Sequence, residues 1–254
     1  MFYFPMAGLS SRFTSAGYDK PKYYLDVNGL TLFQASLKGF SRYFEEDGFC
    51  FIYLDQFIDA ETIRSWTKAI GLPVSNCITV PVNAPTRGQA DTVRHGIEAC
   101  HRAVDDTDKV VIFNIDTIYR DFIKPEDELK NYIDVTSMQG DHWSFVEPDP
   151  QQTGVACQVV EKQRISDLCS VGLYGFHSNR VFLELYTQLY AGNRGNNEEY
   201  VAPLYQCLID SGKSVYYREL SCSKFDFLGT PQEYVDYMRK HFPTRSSQSN
   251  MCAK

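Results

Sequence analysis

FYFPMAGLSSRFTSAGYDKPKYYLDVNG (Phe2–Gly29) opens the chain with an apolar run that stops at Ala7-Gly8 and passes straight into a loop of small residues. A short buried strand followed at once by such a loop is the start expected of an α/β sheet. The loop carries Gly8, Ser10, Ser11 and Arg12, and then the Pro21-Lys22 pair. Backbone N–H groups in a Gly/Ser loop can wrap an anion, because small residues let it come close. Arg12 adds a forked donor suited to phosphate. Pro21 fixes the backbone from which the Lys22 ammonium is launched. The same residues also fit a surface loop with two solvated cations, so the rest of the chain has to decide.

The alternation continues outward from that loop. TLFQASLKGFSRYF (31–44) has apolar residues near 3.6-residue spacing and predicts a helix. FCFIYL (49–54) predicts a second buried strand, and 59–71 a helix capped by Asp59 and stopped at Gly71. CITVPV predicts a third strand, 88–104 a helix, and KVVIFNID (109–116) a fourth strand ending on Asp116. This rhythm predicts a mostly parallel central sheet with helices on its faces, a Rossmann-like three-layer sandwich. Ligands of such sheets bind beyond the carboxyl ends of the strands. The opening loop, the PTRGQAD loop and Asp116 all follow strand C-termini, so they are expected to meet at one sheet edge.

The second half reads differently. Strands are expected over 132–149, 154–162 and 170–178, with a turn at PDPQQTG, then helices in NRVFLELYTQLYAG and EEYVAPLYQCLIDSG. KSVYYREL reads as an edge strand and PQEYVDYMRKHF as a last helix with Pro231 in its first turn. The expected division is one domain over 1–241, with an alternating strand–helix part at 1–130, a strand-rich part at 131–241 and a frayed tail at 242–254.

The chain has 254 residues, of which 43% are hydrophobic, enough for one sizeable core. Seventeen Tyr and 17 Phe argue against disorder. A formal charge of −7 gives no basic footprint, which counts against nucleic acid as a partner. No run approaches the ~18 apolar residues of a membrane span, and the N-terminus reads as a strand rather than a leader. The eight cysteines form no CxxC pair and several sit in apolar runs, which predicts free thiols in a reducing cytoplasm. The five histidines carry no recognisable chemistry, and Trp66 and Trp143 are expected to serve packing in the core or in a lobe.

Six segments, in order, resemble the sugar-nucleotide pyrophosphorylases, the sugar-phosphate nucleotidyltransferases of the nucleotide-diphospho-sugar transferase (GT-A-like) fold. MAGLSSRFTSAGYDKPKYYLDVNG is similar to that family's signature loop, GQADTVRHGI to its nucleotide-binding loop and helix, and FNID to its metal-binding aspartate. GVACQVVEKQRISDLCSVGLYGF is similar to its sugar-binding strands, NNEEYVAPLYQCLIDSG and FDFLGTPQEYVDYM to its closing helix and Gly-Thr-Pro turn. The likeness spans about residues 1 to 240 and implies that 1–130 is the nucleotide-binding part and 131–241 the sugar-phosphate-binding part. Two departures stand out. The family's loop usually has a second Gly where this chain has Ser10, and it often has an Asp where this chain has Phe227. Asp226 lies one residue off, and on a strand that shift turns a side chain to the other face.

The resemblance implies a reaction: a nucleoside triphosphate and a sugar 1-phosphate, or a similar phosphorylated acceptor, give an NDP-sugar and pyrophosphate by in-line attack at the α-phosphate. It implies catalytic roles for Arg12, Lys22 and Asp116, and nucleotide contacts from Ala7, Gly8, Leu9, Ser10, Ser11, Gly88 and Gln89. It implies sugar-phosphate contacts from Gly154, Glu161, Lys162 and Gly172. Asn197 and Glu198 either reach the sugar or cap a helix as an acidic first turn. Mg²⁺ is the implied cofactor, on Asp116 and, if a bulge restores its direction, Asp226. The implied setting is cytoplasmic nucleotide-sugar supply for polysaccharide such as capsule. A homo-oligomer is compatible with the sequence, and base and acceptor stay open. A GT-A-type glycosyltransferase is the alternative, although FNIDTIY lacks the usual D-x-D pair. A non-catalytic nucleotide-binding scaffold is a second alternative, kept open by Ser10 and Phe227. Choline-phosphate-type cytidylyl transfer would change only the acceptor.

Overall fold

A computed structural model describes residues 1–100, 108–125, 131–192 and 198–243. The chain begins with β1 (Phe2–Met6), the short helix α1 (Ser11–Ser15), the hairpin β2 (Asp26–Val27) and β3 (Leu30–Thr31), and α2 (Leu32–Lys38). β4 (Phe49–Leu54), α3 (Ala60–Ala69), β5 (Cys77–Val82), α4 (Gln89–Cys100), β6 (Val110–Phe113) and β7 (Thr117–Tyr119) follow. The second half supplies β8 (Tyr132–Ser137), β9 (Ser144–Pro148), β10 (Ala156–Glu161) and β11 (Leu168–Phe176), then α5 (Asn179–Tyr190) and α6 (Ala202–Asp210). It closes with β12 (Tyr216–Glu219), β13 (Phe225–Phe227) and α7 (Pro231–His241).

One nine-stranded sheet runs through both halves in the order β10-β9-β11-β6-β1-β4-β5, with β8 paired to β11 and β12 to β8. The β6-β1-β4-β5 stretch is parallel. Its chain order reverses direction between β1 and β6, the topological switch point at which doubly wound sheets bind ligands. β1 pairs with β6 only at Phe2 and Tyr3, so the C-terminal ends of these two neighbours diverge. The parallel part expected of the first half is this stretch, and β12 also runs parallel to β8. β11 is antiparallel to β6, β8 and β9, and β9 to β10, which makes the whole sheet mixed.

Alternation along β1 puts Phe2 and Phe4 in one core and Tyr3 in the other. The first core, under α2 and α3, is an aromatic stack: Phe2–Phe49 and Phe4–Phe51 lie 4.9 and 5.2 Å apart between ring centroids. The second, under α4, α5 and α6, is aliphatic and tyrosine-rich, with Ile52, Val93, Ile97 and Tyr205 at its centre. Helices on both faces make the three layers. No helix among the described residues is long and apolar enough to cross a membrane.

Three elements depart from the sequence reading. The helix expected over 31–44 ends at Lys38 and gives way to a 3-10 turn at Ser41–Tyr43; Gly39 between them is pressed onto β7, where a Cβ would lie 1.7 Å from the Tyr119 carbonyl oxygen, and its own carbonyl accepts the Phe122 N–H. The strand expected over 132–149 is two strands, β8 and β9, joined by 138–143. β7 and β13, too short to show a period, pair with each other off the main sheet. The tail from 244 onward lies outside the described residues.

The antiparallel side carries a buried ion pair. Asp134 on β8 is fully buried and accepts from both Nε and Nη2 of Arg218 on β12 at 2.6 Å, and from the Tyr119 hydroxyl at 3.0 Å. Burial pushes the Asp134 carboxyl above its ordinary range, and the Arg218 fork opposes that shift. Replacing Arg218 with Met leaves the carboxylate without its counter-charge, at an expected cost of about 3–5 kcal/mol. The folded-state pKa of Asp134 lies above the unfolded value, so its stabilising effect grows as pH falls through that window. Urea melts of Arg218→Met at neutral and acid pH should therefore show a deficit that narrows on acidification. The double variant Arg218→Met/Asp134→Leu should recover most of it.

Candidate active site

A cleft of about 570 Å³ opens at the C-terminal edge of the sheet, within the usual range for a ligand site. Two structural faults create it. The first is the divergence of β1 and β6. The second lies in β11, which lends one edge to β8 along most of its length and shares the other between β6 and β9. Between those two partners β11 bulges, with Gly172 at φ +82. Its carbonyl accepts the Asn114 N–H at 3.0 Å, and a Cβ on Gly172 would come within 2.7 Å of the Asn114 side chain.

The opening loop forms one wall. A Cβ on Gly8 would meet no atom within 4 Å, so the fold does not require glycine there; the space it leaves belongs to the cleft. Ser10 is left-handed at φ 51. That conformation explains why a glycine suits the position, and it is disfavoured for an L side chain. Its carbonyl starts α1 by accepting from Phe13 and Thr14, and its hydroxyl accepts the Lys22 N–H at 3.2 Å. The buried Phe13 anchors α1 and leaves Arg12 exposed at the cleft.

Across the mouth stands Asp116. Lys22 Nζ lies 2.6 Å from its Oδ2, joining the β1 loop to the end of β6. The Asp116 carbonyl accepts the Leu228 N–H at 2.8 Å, and a Cβ on Gly229 would sit 3.0 Å from Oδ2. The Gly-Thr turn thus walls in the carboxylate.

The second wall is built around Gly88, where a Cβ would lie 2.5 Å from the Glu199 backbone. Ala90 N–H donates to the Glu199 carbonyl and Glu199 N–H to the Arg87 carbonyl, both at 2.9 Å. Beneath this bridge the buried Glu199 accepts from Tyr186 at 2.6 Å and pairs with Arg87 Nη1 at 3.2 Å. Burial raises the neighbouring Asp91 carboxyl, but the Arg87 amide, Arg94 and Tyr186 outweigh it and hold Asp91 at about 2. Gln89 starts α4 and donates to Asn114 Oδ1. Asn114, which the sequence reading passed over, therefore ties the start of α4 to the β11 bulge.

The third side carries Glu161 and Lys162 at the end of β10. Ser144 donates to Glu161, whose carboxyl is pushed up by burial. Lys162 is left-handed at φ 56, donates its N–H to the Trp143 carbonyl at 2.8 Å, and sets its ammonium 4.3 Å from the Tyr200 ring centroid and 3.9 Å from Glu198.

Two expected site residues lie elsewhere. Gly154 precedes β10, at the end opposite Glu161, and is a turn glycine at φ +78 whose carbonyl accepts the Tyr217 N–H; it does not line the cleft. Asp226 points away from the cleft, held by Arg120 and, at 3.5 Å, by His241, while Phe227 faces the cleft, as strand alternation requires. No bulge restores Asp226, so it is not available as a second metal ligand. Asn197 lies outside the described residues. Glu198 is at the rim and outside α6, which begins at Ala202, so the helix-cap reading does not apply. Trp143, expected to serve packing in the core or a lobe, lines the cleft together with His142.

Among the described residues no three His, Cys, Asp or Glu side chains cluster to hold a metal. Asp116 in the cleft suits Mg²⁺, which takes one or two carboxylates and completes its shell with phosphate oxygens and water. The residues therefore fit a cation that arrives with a triphosphate, not one caged by protein.

No protein-family profile matches the sequence, and no curated protein matches it. Solved structures do. A putative glucose-1-phosphate thymidylyltransferase from Bacillus anthracis (15% identity, TM-score 0.71, 92% of each chain) shares the fold. So does an inositol-1-phosphate CTP transferase from T. maritima (13%, 0.67, 91% of this chain and 89% of that one). A nucleoside-diphosphate-sugar pyrophosphorylase from Vibrio cholerae RC9 is 36% identical, with a TM-score of 0.87 over 94% of this chain and 100% of its own. With that identity sustained over nearly the whole length, on the cleft-bearing sheet described above, the chain belongs to the sugar-nucleotide pyrophosphorylase family of nucleotidyltransferase enzymes.

Proposed function

We propose that this protein joins a nucleoside triphosphate to a phosphorylated sugar, releasing pyrophosphate and forming a nucleoside-diphosphate sugar. The observation that carries the reading is the Lys22–Asp116 contact at 2.6 Å in the cleft that Arg12 and the Gly8–Ser11 loop also line. A cation for phosphate and a carboxylate for a metal stand face to face, which is the pairing a metal–triphosphate complex needs from its site.

In this reading Arg12 and the amides of Ala7, Gly8, Leu9, Ser10 and Ser11 hold the triphosphate. Lys22 offsets charge at the α-phosphate and the departing pyrophosphate. Gly88 and Gln89 border the base. Lys162 receives the acceptor phosphate, Glu161 and Glu198 receive its hydroxyls, and Gly172 leaves room between them. Asp116 would hold Mg²⁺, which supplies charge neutralisation on the phosphate oxygens. The protein's own contribution is alignment: the acceptor oxygen is directed at the α-phosphorus opposite the leaving group. The proposed setting is the cytoplasm, in nucleotide-sugar supply for polysaccharide.

Pyrophosphate release from the four NTPs, each combined with a panel of sugar phosphates and Mg²⁺, tests the reaction. Sugar transfer from an NDP-sugar without pyrophosphate would replace it with the glycosyltransferase reading. Arg12→Ala and Asp116→Ala should each lower turnover by about 100-fold or more, with melting temperatures near that of the unmodified protein. Near-normal rates in either variant would remove that residue from the mechanism. Gly88→Ala should raise KM for both substrates together, because the added methyl pushes the 87–89 bridge off Glu199; unchanged KM values would deny the bridge that role.

A further inference from the structure

The wall beside Lys162 is aromatic where a site for phosphate and hydroxyls needs no aromatic group. Phe227 turns into the cleft with its ring centroid 4.9 Å from that of Trp143 at 63°. On the other side of Trp143 the His142 ring lies 4.4 Å away. The indole N–H donates to the Gln139 carbonyl at 3.1 Å, within its own loop. Its polar atom is therefore spent, and what Trp143 offers the cleft is carbon surface. Its position is fixed from the reacting side as well, since its carbonyl accepts the Lys162 N–H at 2.8 Å. An apolar plate is thus clamped next to one ammonium, Lys162, and two carboxylates, Glu161 and Glu198.

Resting on the nucleotidyltransferase reading, we propose that Trp143 and Phe227 form a platform for the ring of the acceptor, selecting a pyranose phosphate over open-chain or quaternary-ammonium phosphates. The C–H face of a pyranose packs on aromatic carbon, its hydroxyl edge meets carboxylates and its phosphate meets the ammonium. An open-chain phosphate has no such face. A quaternary ammonium would favour aromatic rings and carboxylates, but here Lys162 stands among them and already covers the Tyr200 ring at 4.3 Å. Phe227 occupies the position where the family often carries an aspartate, so a carboxylate site has become part of the platform.

The protein has two tryptophans, and Trp66 packs against Tyr24 and Phe33, so a change in emission on adding acceptor can be assigned to Trp143 by substitution. The probes are the α-1-phosphates of glucose, galactose and mannose, with choline phosphate and glycerol 3-phosphate. At least one hexose phosphate should alter the emission saturably, and Trp143→Phe should abolish the change while keeping calorimetric affinity within about threefold. Trp143→Ala and Phe227→Ala should each weaken that acceptor at least about tenfold, with NTP affinity within twofold. Phe227→Leu serves if Phe227→Ala does not fold. Saturable binding of choline phosphate or glycerol 3-phosphate in preference to every hexose phosphate would overturn the proposal. Unaltered acceptor affinity in Trp143→Ala and in the Phe227 variant would do the same, as would no binding of any probe. Hexose phosphate binding on Trp143 without pyrophosphate release from any NTP would sink the catalytic reading and leave the platform standing.

Discussion

The contact between the Lys22 ammonium and the Asp116 carboxylate, 2.6 Å long and spanning 94 positions, is the interaction around which the site is arranged. It requires the loop after β1 and the end of β6 to face each other. They do so because β1 and β6 are neighbours at the switch point and part company after two paired residues. Phe2, Phe4 and Phe113 hold the strands rigidly from below, and Phe13 and Tyr23 anchor the loop. Opposite charges held this close in a half-buried cleft neutralise each other until something carrying both a cation and an anion enters. A metal–triphosphate complex is such a ligand, and it can offer each group a stronger partner than the other.

The remaining walls are tied to one another rather than built separately. Asn114 accepts from Gln89 and donates its N–H to Gly172, linking the start of α4 to the β11 bulge. Glu199 joins the Arg87–Ala90 segment to the Glu198–Tyr200 segment that holds Lys162. Three residues are adapted to this crowding in different ways. Gly88 and Gly172 leave out a side chain that would strike a neighbour, whereas Ser10 keeps one in a left-handed backbone and uses its hydroxyl to hold Lys22.

Much of this was legible in the sequence where period and punctuation are strong. FYFPM and FCFIYL are continuous apolar runs and became neighbouring parallel strands. The convergence of the opening loop, the PTRGQAD loop and Asp116 followed from the rule that α/β ligands bind at strand ends. Period-two alternation was enough to doubt Asp226. What stayed hidden depends on contacts distant in sequence. Nothing in TLFQASLKGFSRYF announces that the helix gives way to a 3-10 turn or that Gly39 must meet Tyr119, so the helix was drawn too long. Gly154 and Gly172 look alike in sequence, and only the pairing of β11 with two partners on one edge distinguishes a turn glycine from one in the cleft. Trp143 read as packing because tryptophan usually is; its place beside Lys162 comes from the β9–β10 register.

The central claim is that Lys22 and Asp116 pair with each other and part to grip one metal–triphosphate. Calorimetric titration of NTP into the unmodified protein and Asp116→Asn, in chelator and in Mg²⁺, addresses it most directly. The account predicts opposite signs. In chelator the variant binds NTP more tightly, because a carboxylate that repels phosphate is gone and Lys22 is released; in Mg²⁺ the variant binds more weakly than the unmodified protein. Equal affinities for the two proteins under both conditions would contradict the account.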